Sequence, residues 1–385
     1  MSWEWRIKCR CGSRGPYCFF FWICLVNIAA ASDAIAPFNK ALTLTLVETP
    51  DGIDTLLVTG RNGDTLTAVN LSDLLHIRAD DPLLVFSEIG PAKLHSLLNS
   101  ETAEFRVSDL VIPRGLSSQH LAAGANYKAH GAEGGLDSVF LFPKYSLPTE
   151  GSFSIPVGSR QLMDYEIEIC ARFDRQIQSM EDFSKAHVGL FLCGDFTDRA
   201  TLMRKIDKEN WESGAGYTDA KSGAGLFPIG PLVVVPDDWS SFIQEIELKL
   251  TVNGGIRQQS SAAEMRLNLA EIMALALAPD TSMHWSFGDQ PIALLEDDTL
   301  YRGQSILTGT PEGVVFRPPD TLFIAASVFN WVLSGSFLKG GVTDFIIEKY
   351  IDDRLSAKTY LQPGDKIAMS ATYLGEVRID MVAAE

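Results

Sequence analysis

At 385 residues, 46% hydrophobic and 21% charged, the chain can hold one large domain with an appendage or two domains, and it is too apolar to be disordered. A formal net charge of −17 argues against nucleic-acid binding, which needs a basic surface to displace counterions. Anionic small molecules stay open, because a local cluster of metal, Lys and Arg inverts the field inside a cleft.

Residues 1–31 stand apart. Arg6, Lys8, Arg10 and Arg14 precede an almost unbroken apolar run over 17–28, and Ala29-Ala30-Ala31 offers a small-residue cleavage site before Ser32. This is the plan of a secretory signal peptide, with an uncleaved anchor or a misassigned start codon and a cytoplasmic protein as the competing readings. The segment carries Cys9, Cys11, Cys18 and Cys24 of the six cysteines, so the remainder is not a disulfide scaffold.

Alternating runs at 41–47, 55–59 and 65–69 are separated by turn chemistry at Pro50-Asp51-Gly52 and Asn62-Gly63-Asp64, which predicts a β-meander. A helical stretch follows at 91–98. Residues 36–115 are read as a small N-terminal domain in which His76 and His95 are surface or satisfied histidines. At 124–133, Gly124-Ala125-Asn126-Tyr127-Lys128-Ala129-His130-Gly131-Ala132-Glu133, a short helix would put His130 and Glu133 on one face, where a carboxylate orients the imidazole and raises its basicity.

At Asp164-Tyr165-Glu166-Ile167-Glu168-Ile169 two acids at i and i+2 share one face of a strand. Inside a fold such a pair calls for a cation, and all-oxygen ligation suits Mg²⁺, Mn²⁺ or Ca²⁺. An edge strand showing both acids to water is the competing reading. Residues 188–193 then run apolar into Gly194-Asp195, placing a third carboxylate at the end of a buried strand. Arg199 is a candidate anion binder, with an ion pair to Asp198 or Asp195 as the equal alternative. Cys170 and Cys193 share the parity of Glu168 and Asp195 and are read as small core residues near the site rather than ligands or a disulfide.

Ala220-Lys221-Ser222-Gly223-Ala224-Gly225 satisfies neither a nucleophile elbow nor a phosphate loop, and leaves Lys221 to hold a carboxylate or a developing oxyanion. Further on come a strand at 246–252, an amphipathic helix at 262–277, and a strand at 306–314 entering a Gly/Pro loop whose N–H groups and Thr310 can approach a ligand. Residues 321–338 carry no charge and are read as a helix packed on the core, a lid or a dimer interface rather than a membrane contact. A second amphipathic helix is expected at 342–353.

The ordered motifs resemble those of the fumarylacetoacetate hydrolase family, over roughly residues 110–385. G-x-N-Y-x-x-H-x-x-E stands at 124–133, D-Y-E-x-E at 164–168, D-x-T-x-R at 195–199, K-S before G-P at Lys221 and Gly230, V-N-G at 252–254, T-G-T-P-x-G-V at 308–314 and L-x-P-G-D at 361–365. The resemblance implies a β-rich α+β fold, a mixed β-sandwich roll, over 116–385 and usually a homodimer. It implies Glu166, Glu168 and Asp195 as metal ligands, His130 with Glu133 as a water-activating dyad on a lid, Lys221 as a catalytic cation, and Tyr127, Arg199, Gly309 and Thr310 around a 2-oxo or diketo acid. Gly194 replaces the family's usual Asn, Leu202 stands where many members carry a substrate-contacting Gln, Val315 replaces a Gly, and an insertion occupies about 318–358. The expected reaction is hydrolytic carbon–carbon cleavage of a β-diketo acid. Decarboxylation, isomerisation or dehydration of a 2-oxo acid is the alternative on the same metal platform, and a non-catalytic metal-stabilised binding protein or scaffold is the alternative of another class.

Overall fold

The computed structural model describes residues 34–113, 117–150, 152–279, 283–338 and 340–384. The leader expected at 1–31 lies outside the described residues. The meander is present as β1 (Ala41–Thr49), β2 (Gly52–Asn62) and β3 (Thr65–Asn70), with β4 (Ala103–Arg106) on its outer edge and β5 (Leu110–Val111) beside β1. It does not close on itself. Residues 41–44 of β1 pair with the strand Val233–Pro236, so the N-terminal strands extend a larger sheet.

That sheet continues through two strands that matter most here, Ile167–Phe173 and Val188–Gly194, and then through Ile306–Leu307, Gln119–Gly124 and Phe140–Tyr145. The first two are antiparallel with Glu168 opposite Cys193 and Cys170 opposite Phe191. A period of two sorts their side chains. Ile167, Ile169, Ala171, Leu190 and Leu192 enter a core shared with Leu248, Leu250, Met369 and Val377 of a second, five-stranded sheet. Cys170, Phe191 and Cys193 enter a separate cluster on the other face with Phe140, Phe142, Leu202 and Tyr217. Both faces are therefore buried, and the fold is the strand-rich α+β sandwich expected. Glu166 and Glu168 are not on an edge strand facing water: they are 3% and 2% exposed, and Glu168 lies between two paired neighbours.

Three local expectations change. Cys170 and Cys193 form a disulfide, with Cα atoms 5.8 Å apart, because the register sets them diagonally across adjacent strands. The helix expected over 262–277 starts only at Leu269, where Asn268 and Glu271 form a reciprocal capping box. The strand expected over 306–314 ends at Leu307, since the following residues spend their hydrogen bonds on the site.

The uncharged stretch forms the helix Thr321–Leu333, packed against Val342–Ala357. Only Ser327 is buried on the first of these, while Leu322 is 80% and Leu333 70% exposed, so it covers the site rather than entering the core. No helix among the described residues is long and apolar enough to cross a membrane.

A buried histidine joins the sheet to its loops. The Nε2–H of His120 donates to Ser146 O at 3.0 Å while Nδ1 accepts from Ser305 N at 3.0 Å, which fixes the neutral tautomer. Burial, with Arg172 and Lys144 nearby, pulls its pKa from 6.5 down to about 3. Below pH 6.5 the unfolded chain takes up a proton that the folded one refuses, so stability falls as pH drops. Between pH 7.5 and 5.5 the stability advantage of the native protein over His120→Gln should shrink by about 1.4 kcal/mol in urea unfolding; an unchanged difference would mean that His120 titrates alike in both states.

Candidate active site

The strand ahead of Ile167 is interrupted, and the interruption builds the site. Asp164 Oδ1 accepts from Tyr165 N and Val315 N at 3.0 Å each, and Oδ2 accepts from Phe316 N at 3.1 Å. Gln258 accepts from Ile167 N at 3.1 Å and donates to Thr310 Oγ1 at 2.9 Å and Pro311 O at 2.7 Å. The start of the strand is thus sewn to the loop that follows Leu307. Glu166 and Glu168 emerge toward one cavity, and Asp195 joins them through its own N–H, which donates to Glu166 O at 3.0 Å.

Oxygen atoms of Glu166, Glu168 and Asp195 all lie within 4.8 Å of one another, and all three residues are buried. Three buried cations surround them. Lys221 Nζ donates to Glu166 Oε2 at 2.5 Å and Asp195 Oδ2 at 2.8 Å. Arg199 bridges Glu166 Oε1 at 2.5 Å and Asp164 Oδ2 at 2.9 Å, so its ion pairs are with neither Asp198 nor Asp195. Lys144, fully buried, donates to Asp195 Oδ1 at 2.7 Å and to the carbonyls of Lys221 and Leu226. Asp198 instead accepts from Leu162 N and Ala200 N and caps the helix Arg199–Lys205.

The charges are unevenly shared. Burial works against Glu166, yet Lys221 and Arg199 hold it down at about 2. Glu168 receives only the N–H of Gly309, at 2.7 Å, and burial together with Asp195 and Glu166 drives its pKa well above the usual carboxylate range. Burial also opposes the charge on Lys221, but Asp195 and Glu166 more than offset it and its pKa is raised. An all-oxygen triad with one carboxylate lacking a counter-charge fits a hard divalent cation.

His130, on the helix Lys128–Gly134, lines the same cavity. Its Nδ1 is 3.5 Å from Glu133 Oε2, close but not aligned as a hydrogen bond. Glu133 accepts from Gly313 N at 3.0 and 3.1 Å and from Arg317 at 2.6 Å. Gly313 has φ +106°, and a Cβ there would stand 2.0 Å from Arg257 O, so only glycine turns this N–H toward the dyad. Thr310 lines the cavity and donates to Ile167 O at 2.9 Å. Gly309 supports Glu168, and Tyr127 is 1% exposed, its ring packed in the sandwich core and its hydroxyl buried without a hydrogen-bond partner, near enough to Glu168 that this charge, after burial, raises its pKa. Gly194 is explained by contact, since a Cβ would meet Phe196 and Pro228 at 3.0 Å.

A family model described as fumarylacetoacetate (FAA) hydrolase C-terminal matches residues 119–382. The chain belongs to the fumarylacetoacetate hydrolase family. It is 24% identical over 257 residues to the 2,4-didehydro-3-deoxy-L-rhamnonate hydrolase of Sphingomonas sp. (strain SKA58), covering 64% of this chain and 75% of that one. It is 29% identical over 182 residues to the mitochondrial oxaloacetate tautomerase FAHD1 of Pongo abelii, covering 46% of this chain and 69% of that one. The fold resembles the crystal structure of 2-hydroxyhepta-2,4-diene-1,7-dioate isomerase from Mycobacterium marinum, with a TM-score of 0.54 and 17% identity over 89% of this chain and 98% of that one. Members of this fumarylacetoacetate hydrolase family are enzymes, and by these names they include hydrolases, tautomerases and isomerases.

Lys144, Asp164, Gln258 and Arg317 escaped the sequence reading. Asp164 and Arg317 stand inside or beside recognised motifs and were legible by position. Lys144 is a single charged residue in an apolar strand and Gln258 is one of several polar residues in its own, and neither carries a local signal.

Proposed function

We propose that this protein is a divalent-metal-dependent hydrolase that cleaves a carbon–carbon bond in a β-diketo acid of fumarylacetoacetate or acylpyruvate type. The observation that carries the reading is His130 on the wall of the cavity that holds the carboxylate triad, with Glu133 behind it 3.5 Å from Nδ1. Glu166, Glu168 and Asp195 would hold Mg²⁺ or Mn²⁺, with Ca²⁺ as the third candidate, and the ion when bound would polarise the oxygens of the 2-oxo acid end.

The chain's own groups account for the proton movements. His130 takes a proton from water, and the resulting hydroxide adds to the distal carbonyl carbon. The bond from that carbon to the methylene breaks, the electron pair stays on the methylene carbon, and a proton returned from His130 completes a 2-oxo acid while the acyl fragment leaves as a carboxylic acid that ionises to solvent. Glu133, fixed by Gly313 and Arg317, orients the imidazole and stabilises its charged form. Lys221 stays protonated beside Asp195 and Glu166, so its part is electrostatic, at the tetrahedral oxyanion, and not that of a base. Tautomerisation or isomerisation of a 2-oxo acid is the second reading, favoured by the oxaloacetate tautomerase among the relatives; it needs His130 as a base but no added water.

Export of the protein accords with the buried Cys170–Cys193 disulfide, a bond that persists in oxidising compartments. Mass spectrometry of protein from its native host should find a chain beginning at Ser32, and an intact Met1 would contradict cleavage. For the reaction, His130→Ala should lower kcat on acylpyruvates by about 100-fold or more with little change in KM. Equal absence of turnover in wild type and mutant, for every diketo and 2-oxo acid with Mg²⁺ or Mn²⁺ supplied, would favour a non-catalytic scaffold.

A further inference from the structure

The cavity that begins at the triad does not end there. It extends to about 290 Å³ and changes character along its length. At its inner end stand the carboxylates, Lys221, Arg199 and His130. Beyond them the wall is apolar, built from Leu202, Met203 and Ile206 on one side and from Phe140, Phe142 and Tyr217 on another. The insertion supplies the roof: Pro318, Pro319, Ile324, Ile346 and Ile347 close over the chamber.

This roof is anchored by its own contacts. Arg204 donates to Glu348 at 2.6 and 3.0 Å, and Tyr350 Oη donates to Arg317 O at 2.6 Å. Ile347 and Tyr350 pack with Met203, Val314 and Phe316 in one cluster. The only charged group on the outer part of the wall, among the described residues, is Lys208, and its ammonium is held by Asp344 at 2.7 Å. A second carboxylate at the far end of a substrate would therefore meet apolar walls and a single cation, Lys208, that Asp344 already holds at the exposed rim. Leu202 also removes any polar contact from its position.

We infer that the substrate of this site carries an uncharged, extended apolar acyl group, an alkyl chain longer than acetyl, seated under the insertion. The inference rests on the proposed function for the identity of the polar end, a 2-oxo acid at the triad. It assigns Leu202, Ile324 and Ile346 as residues that set specificity, and it excludes dicarboxylic substrates of the same length.

The test is a binding series with the full protein, with and without Mn²⁺, by titration calorimetry. Pyruvate, 2-oxobutanoate, 2-oxohexanoate and 2-oxooctanoate are compared with 2-oxosuberate, which carries a carboxylate at the far end. Kd should fall by about fourfold per added methylene, the gain expected for methylene burial, and 2-oxosuberate should bind at least tenfold more weakly than 2-oxooctanoate. Ile346→Asp and Ile324→Asp should flatten the series, whereas Leu322→Asp, on the same helix as Ile324 but 80% exposed and off the cavity wall, should leave it as in the native protein. A flat series in the native protein, tighter binding of 2-oxosuberate, or a slope unaltered by both isoleucine substitutions would overturn the inference. The series is independent of the reaction. Chain-length dependence without hydrolysis of any diketo acid leaves this inference standing and removes the hydrolase reading, whereas hydrolysis of acetylpyruvate with a flat series does the reverse.

Discussion

Everything in this structure that concerns chemistry depends on one carboxylate without a partner. Glu168 is buried, shares its cavity with two other carboxylates, and receives only a backbone N–H from Gly309. Glu166 and Asp195 each have a lysine or arginine, but the cations are spent on them. Burying a charge in this way costs several kcal/mol unless it is neutralised by a proton or a counter-ion. Two paired acids next to one unpaired acid of raised pKa therefore describe a site short of positive charge. A divalent cation held by Glu166, Glu168 and Asp195 would supply it.

The scaffold makes this arrangement rigid. A strand buried on both faces carries the sandwich core on one side and the site on the other, and its neighbour is tied to it by the Cys170–Cys193 disulfide close to Glu168 and Asp195. The buried side chains of Asp164 and Gln258 tie the interrupted end of the strand to the loop 308–316 through hydrogen bonds to backbone N–H and C=O groups. The insertion then lines the cavity, and Arg317, immediately ahead of it, pairs with Glu133. Tyr350 of the insertion donates to the carbonyl of Arg317, so the segment that shapes the far end of the pocket also braces the residue that holds Glu133.

Much of the site was legible because it is local in sequence. The spacing of Glu166 and Glu168, the apolar run into Asp195, and the His130–Glu133 separation each express the period of an element. What was not legible depends on how distant strands meet. The disulfide follows from the offset of two strands, which no pattern in either strand records. Lys144 becomes the partner of Asp195 only through the folding of its strand into the same sheet, 51 residues away in sequence. The N-terminal meander was legible as strands, but its pairing with Val233–Pro236 was not, since nothing in an alternating run says which edge it will extend.

The most direct measurement is Mn²⁺ binding to chelator-treated protein, followed by electron paramagnetic resonance. One ion per chain should bind to the native protein, and Glu168→Gln, which keeps the side chain's shape and its acceptor for Gly309, should abolish that binding. Absence of a bound ion in the native protein, or equal binding by Glu168→Gln, would contradict the claim that this buried triad is a divalent cation site.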